Sequence, residues 1–181
     1  MSESGATRRP AVAKMRSLQL SIFTTMDFRI RGLGPQPFLP LYGQSDDALR
    51  ALGVLRMRVE EAYSSPDRIE LRDAEPGEHV LLLNHEYLDV DSPYRGRHAI
   101  FVREGAMQAF DAVNTVPACL RRRLLSLRAF DAQGMMVDAD VVEGPLMESL
   151  LERLFENETV RFVQAHHARR GCYAARIERL D

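Results

Sequence analysis

The sequence has only two cysteines, Cys119 and Cys172, among its 181 residues. Small disulfide-rich domains carry four or more cysteines at regular spacings, so a disulfide-stapled scaffold is excluded. The sequence leaves a single bridge open. Because nothing else in it indicates secretion, we expect a cytoplasmic protein whose thiols are reduced.

Long hydrophobic runs are also missing. No stretch approaches the ~20 consecutive apolar residues of a transmembrane helix, so we expect no membrane insertion. Arg8 and Arg9 precede a short apolar segment, residues 18–23, as in some export signals. Gln19 and Ser21 interrupt this segment, and it is too short for the apolar region that export requires.

The first regular pattern of the chain begins close to Met26. We predict that residues 1–26 are a flexible tail or a misassigned start, and that residues 27–181 form a single domain. Hydrophobic residues make up 45% of the sequence, which is enough for this domain to bury a sizeable core.

The sequence also lacks an excess of positive charge. The chain has 24 lysines and arginines against 26 aspartates and glutamates, so its net charge of −2 provides no basic surface for nucleic acid. Lys14 is the only lysine. The abundance of arginine fits either anion recognition by guanidinium groups or a coding bias, and the bias is favoured. The run Arg121-Arg122-Arg123 has no interleaved aromatics and is interpreted as surface.

Short alternating segments dominate what is present, and they predict an α+β fold. Residues 80–83 are apolar without alternation, which predicts a central strand that ends in Asn84-His85-Glu86. Residues 68–72 alternate and predict a further strand. Residues 145–156 carry one apolar stripe and predict the longest helix. We expect a largely antiparallel sheet, built from hairpins, with about three helices.

The end of the chain, residues 160–177, predicts a hairpin with a three-residue loop that ends at Gly171. In this register Cys172 and His166 are diagonal neighbours, roughly 7–8 Å apart at the backbone. His167 falls on the opposite, apolar face. The polar residues share the other face: Gln164, His166, Cys172 and Arg176.

A second hairpin, residues 124–142, has the same design, with a three-residue loop that ends at Gly134. The predicted pairing places Arg128 directly opposite Asp138. Its polar face consists of Ser126, Arg128, Asp138 and Asp140.

Several long stretches resemble one known family. They are FRIRGL, DAEPGEHVLLLNHEY, SPYRGRHAIFVREG, LRRRLLSLRAFDAQGMMVDADVVEG and HHARRGCYAAR. They are similar to a bacterial family of uncharacterised proteins, the domain of unknown function 1203, and the resemblance runs from Asp27 to the end of the chain. It implies no known activity. The chain departs from the family pattern at His167, where members often have asparagine, so the resemblance implies no role that requires a histidine there.

Cys172 and His166 are the candidate catalytic residues. A thiolate is a nucleophile, and a nearby imidazole can take up the thiol proton, while Arg176 on the same face would favour the thiolate. The alternative is a purely structural pair, a buried cysteine beside a hydrogen-bonded histidine, and this alternative is favoured.

If the two hairpins share a sheet, their polar faces could form one concavity that binds a small anionic molecule, such as a carboxylate or a phosphate ester. The candidate substrate-binding residues are Ser126, Arg128, Asp138, Gln164, Arg176 and Asn84. We predict no cofactor and no metal, since the polar residues after the central strand match no metal template. The competing hypothesis is a non-catalytic structural or interaction protein, with homodimerisation through a sheet edge or face.

Overall fold

The structure is a computed structural model that describes residues 26–180. The predicted tail, residues 1–26, lies outside the described residues except for Met26. Within them the strands are β1 Phe28–Arg31, β2 Leu55–Arg58, β3 His79–Leu88, β4 Gly96–Arg103, β5 Asp111–Val113, β6 Leu124–Phe130, β7 Met136–Glu143, β8 Phe162–His167 and β9 Tyr173–Arg179. The α-helices are α1 Asp46–Ala51, α2 Ala118–Arg121 and α3 Met147–Phe155.

The strands form two antiparallel sheets. The larger has the order β5-β1-β9-β8-β6-β7, and the smaller has the order β2-β3-β4. The predicted α+β fold, with largely antiparallel strands and three helices, is confirmed. Both hairpins belong to the larger sheet because β8 pairs with β6. No helix within residues 26–180 is long and apolar enough to cross a membrane.

The larger sheet is covered on both faces. Helix α3 packs its apolar stripe on one face, where Leu151 contacts the core that includes Leu125 and Leu127. The smaller sheet lies on the other face and meets it at Tyr173, which joins the core around Leu81. β3 is the central strand of the smaller sheet, as its unbroken apolar run predicts.

The predicted strand at residues 68–72 is wrong, although its apolar residues are buried. Ile69 and Leu71 are 0% and 3% exposed. The segment is an irregular loop in which the Asp67 carboxylate accepts hydrogen bonds from the backbone N–H groups of Ile69 and Glu70, at 3.2 and 2.6 Å. This local capping replaces the ladder bonds of a strand and turns Arg68 inward.

The predicted register of the β8–β9 hairpin is correct only in its outer half. Gln164 lies opposite Arg176 as expected, but His166 lies opposite Tyr173 and not Ala174. Ala174 is an extra residue, and the loop is one residue longer than predicted, closed by a bond from Gly171 N to His167 O at 2.8 Å.

This bulge reverses the inner part of β9. Tyr173 shares the face of His166, and Cys172 shares the face of His167, because side chains alternate along a strand. The predicted placement of Cys172 beside His166 on one face is therefore wrong.

The β6–β7 hairpin contains a second bulge, at Val137. Phe130 pairs with Met136 as the predicted loop requires, but Ala129 then pairs with Asp138. Arg128 consequently lies opposite Ala139, so the predicted pairing of Arg128 with Asp138 is wrong. Asp138 instead faces helix α3 and accepts a hydrogen bond from Arg153 at 2.9 Å.

Candidate functional site

The polar face predicted from the two hairpins is present in the structure with fewer residues than expected. Ser126 lies opposite His166, and Gln164 lies between Arg128 and Arg176 on neighbouring strands. The structure thus brings together five of the predicted residues, whereas Asp138 and Cys172 lie on the other face.

The middle of this face is buried polar core. Gln164 and His166 are 1% and 0% exposed. Gln164 donates from Nε2 to the carbonyl of Tyr87 at 2.9 Å, and its Oε1 accepts from His166 Nε2 at 3.2 Å. The Tyr87 ring covers the imidazole, with 5.0 Å between the ring centroids. Burial, with a contribution from Arg128, lowers the pKa of His166 to about 4, so its imidazole is neutral near pH 7.

The remaining predicted residues lie at the margins of that face. Arg176 places its guanidinium 3.7 Å from the Phe162 ring centroid and donates to Glu178 at 2.9 Å. Asn84 is exposed in the smaller sheet, opposite Ala99. The neighbouring side chain of β3, His85, contacts the larger sheet, so alternation turns Asn84 away from it.

A cavity of about 400 Å³ lies at the other side of the β8–β9 hairpin, where its loop meets the segment before Arg68 and the start of β6. This volume is within the range of small-molecule sites. Cys172 and His167 both line it, which follows directly from the bulge in β9. Its walls carry five arginines: Arg68, Arg122, Arg123, Arg169 and Arg170.

Arg68 is the innermost of these arginines, at 1% exposure. Its Nε donates to the Tyr173 carbonyl at 2.8 Å, its Nη1 to the Pro66 carbonyl, and its Nη2 to Cys172 Sγ at 3.1 Å. It forms no salt bridge with a carboxylate of residues 26–180. Burial lowers the pKa of Arg68, but a guanidinium remains protonated in proteins. The cavity therefore has a buried positive charge in contact with a thiol.

Arg122 and Arg123 are held in place by their partners. The Asp73 carboxylate accepts from Arg123 Nη2 at 2.5 Å and lies 3.4 Å from Arg122 Nη1. The Arg122 guanidinium also stacks 4.5 Å from the Tyr63 ring centroid. These contacts hold both side chains in place.

Arg169 and Arg170 occupy the hairpin loop and are exposed. Neither forms a salt bridge with a carboxylate of the chain between residues 26 and 180. Their guanidinium groups are thus available to a ligand at the mouth of the cavity.

His167 adds a buried polar group to the wall. It is 8% exposed, and its Nδ1 has no hydrogen-bond partner among the described residues. Burial, reinforced by Arg68 and Arg123, lowers the pKa of His167 to about 3. A buried polar atom without a partner is uncommon in native structures, and a ligand is one way to satisfy it.

The two cysteines are both free but differ in their surroundings. Cys119 lies outside the cavity and donates its S–H to the Leu71 carbonyl at 2.8 Å. Burial raises the pKa of the Cys119 thiol to about 12, which keeps it protonated and inert. Cys172 lines the cavity and accepts from Arg68.

Sequence reasoning missed Arg68 and the contribution of Arg122 and Arg123. The Arg169-Arg170 pair next to Cys172 was the only local signal, since the other arginines come from segments distant along the chain. Within residues 26–180, no group of three or more histidines, cysteines, aspartates or glutamates is arranged to hold a metal ion.

Most of the cavity residues lie in a segment of the chain that matches a known protein family. The family model described as "Protein of unknown function (DUF1203)" matches residues 64–179, which is more than half of the chain. This match begins further along the chain than Asp27, and it includes every residue of the cavity except Tyr63. A search of curated proteins and a search of solved structures found no match. The protein belongs to the DUF1203 family.

Proposed function

We propose that the cavity binds a small anionic molecule, such as a carboxylate or a phosphate ester. The observation that carries this proposal is the set of five arginines around one cavity in a chain whose net charge is −2. Among residues 26–180, Glu143 is the only carboxylate on the cavity wall, and Asp73 pairs with two of the arginines just outside it. Five positive charges against these two negative ones leave an excess of three.

The arginines differ in how they would serve a ligand. Arg68 and Arg123 are fixed by hydrogen bonds to the protein, so binding costs little side-chain entropy at the inner wall. Arg169 and Arg170 are exposed and unpaired within the described residues, so they can attract an anion and close on it. Guanidinium groups bind carboxylates and phosphates through paired hydrogen bonds, which favours these two classes.

Thermal unfolding with added inorganic phosphate or citrate tests this proposal. We expect both anions to raise the Tm of the wild-type protein, because a ligand that binds only the folded state stabilises it. The double variant Arg169→Gln/Arg170→Gln should lose most of that increase.

The matched control is Arg97→Gln/Arg161→Gln. It removes the same charge from two exposed arginines outside the cavity and should keep the full increase. Equal losses in the two double variants would reduce the effect to general charge and contradict the proposal. If neither anion stabilises the wild type, the interaction hypothesis is preferred.

A further inference from the structure

Three features of Cys172 concern the reaction that the cavity can carry out on a bound ligand, and not how tightly the ligand binds. The thiol is free, it lines the cavity, and the guanidinium of Arg68 donates to its sulfur at 3.1 Å. The thiolate is the nucleophile in disulfide exchange, and the Arg68 guanidinium lies within hydrogen-bond distance of the sulfur that would carry it. His167 lines the same cavity, and its buried Nδ1 has no hydrogen-bond partner among the described residues.

We propose that Cys172 forms mixed disulfides with small anionic disulfides that the arginines of the cavity hold in place. This inference rests on the proposed anion-binding function. The reactive group that the cavity places beside the bound anion is a thiol and not a group that cleaves esters. Disulfide exchange needs only a thiolate to which the ligand disulfide has access.

The exchange balances without a further oxidant. The Cys172 thiol gives up its proton, and the sulfur attacks one sulfur atom of the ligand disulfide. The S–S bond of the ligand breaks, and a new S–S bond joins Cys172 to one half of it. The other half leaves as a thiolate and takes up a proton, so one sulfur of the ligand disulfide is reduced to a thiol while Cys172 is oxidised.

The charges of the cavity specify the class of disulfide more closely. Arg169 and Arg170 at the mouth suit carboxylates, whereas Glu143, which forms no salt bridge within residues 26–180, suits an ammonium group. A peptide disulfide with more carboxylates than ammonium groups meets both conditions. Glutathione disulfide has this chemistry and is the probe of choice.

The test compares three disulfides that differ in charge: glutathione disulfide, neutral hydroxyethyl disulfide and cationic cystamine. The rate of adduct formation at Cys172 is measured by peptide mass spectrometry on the folded full-length protein. Each rate is divided by the rate for Cys172 in the urea-unfolded protein, which removes differences in intrinsic reactivity. Cys119 serves as the internal control and should stay unmodified in the folded protein.

We expect the normalised rate for glutathione disulfide to exceed that for hydroxyethyl disulfide by about tenfold or more, with cystamine slowest. Arg169→Gln/Arg170→Gln should bring the three rates together, while Arg97→Gln/Arg161→Gln should leave them apart. Equal rates in the wild type, no adduct at Cys172, or equal modification of Cys119 would each overturn the inference. If phosphate still raises the Tm through Arg169 and Arg170, the inference fails while the anion-binding proposal stands.

Discussion

Arg68 carries a positive charge into the protein interior without a salt bridge to a carboxylate of residues 26–180. Its guanidinium fork reaches the carbonyls of Pro66 and Tyr173 and the sulfur of Cys172. The side chain thereby links the irregular segment before β3 to the start of β9. At the scale of single residues, this fork defines the inner wall of the cavity.

The variant Arg68→Lys should test the fork without removing the charge. An ammonium group cannot serve three acceptors in these fixed directions, so at least one buried acceptor is left unpaired. We expect the free energy of unfolding to fall by about 1–3 kcal/mol, as measured by urea denaturation. Arg97→Lys, at an exposed position, should change it by less than about 0.5 kcal/mol. A stability of Arg68→Lys equal to wild type would show that the fork contributes nothing.

His167 gives a pH dependence whose sign follows from its burial. Its pKa in the folded protein, about 3, lies below the ordinary value of 6.5, so the unfolded chain binds the proton more readily. The stability is fully present above about pH 6.5 and declines as the pH falls toward 3. His166 acts in the same direction, with a folded pKa of about 4.

The variant His167→Asn isolates one of these two contributions. The wild-type free energy of unfolding should be lower at pH 5 than at pH 7. This loss should shrink by about 2 kcal/mol in the variant, because each pKa unit corresponds to about 1.4 kcal/mol. Urea denaturation at both pH values measures the difference. An unchanged loss in the variant would mean that His167 is not held neutral in the folded protein.

At the scale of elements, the two hairpins show how far the sequence could be interpreted. Their membership of one sheet was only assumed, but their strands and their loop glycines follow from alternation and turn chemistry. The bulges at Val137 and Ala174 do not, because an extra strand residue is set by twist and packing rather than by its own side chain. One such residue moves everything beyond it to the opposite face, and this is why Asp138 and Cys172 were misplaced.

The hairpin loops also provide a matched pair of glycines. Gly134 and Gly171 both have φ of +74°, a region that disfavours other residues. A Cβ atom at Gly171 would meet nothing within 4 Å, whereas one at Gly134 would lie 2.7 Å from Cγ2 of Val90. At Gly171 only the backbone conformation disfavours a larger residue, whereas at Gly134 the packing against Val90 disfavours it as well.

Gly171→Ala should lower the free energy of unfolding by about 1–2 kcal/mol, which is the backbone cost of the left-handed conformation. Gly134→Ala should cost more, because it adds the clash with Val90. Val90→Ala in the Gly134→Ala background should recover part of the additional loss, and a double-mutant cycle from urea denaturation measures that recovery. Equal costs at the two glycines would contradict the close packing of Val90.

At the scale of the whole molecule, the cavity depends on how the irregular segment around Arg68 is tied to the smaller sheet. The Asp67 carboxylate accepts from the Arg103 backbone at 2.7 Å, and Glu70 accepts from the Arg103 side chain at 2.7 Å. Glu70 also accepts from Arg72 at 2.9 Å. These bonds hold the segment between β4 and the larger sheet, so Arg68 can reach Cys172.

The site could be predicted only in part because its residues meet through long-range packing. The sequence indicates an anion-binding role for arginines near the β8–β9 hairpin, but residues 68–72 were interpreted as a strand and the run at Arg122 and Arg123 as surface. The backbone at Asp67 and the bulge at Ala174 decide which side chains face the cavity. Neither feature has a signature in local periodicity.

Anomalous diffraction from crystals soaked in selenate, a dianion that resembles phosphate and sulfate, would locate an anion bound to the arginines. We expect a selenium peak inside the cavity, with the selenate oxygens within hydrogen-bond distance of at least two of the five arginines, and no such peak in crystals of Arg169→Gln/Arg170→Gln. Peaks confined to other surface arginines, such as Arg97 or Arg161, with the cavity unoccupied at a selenate concentration that raises the Tm, would contradict the proposed anion binding.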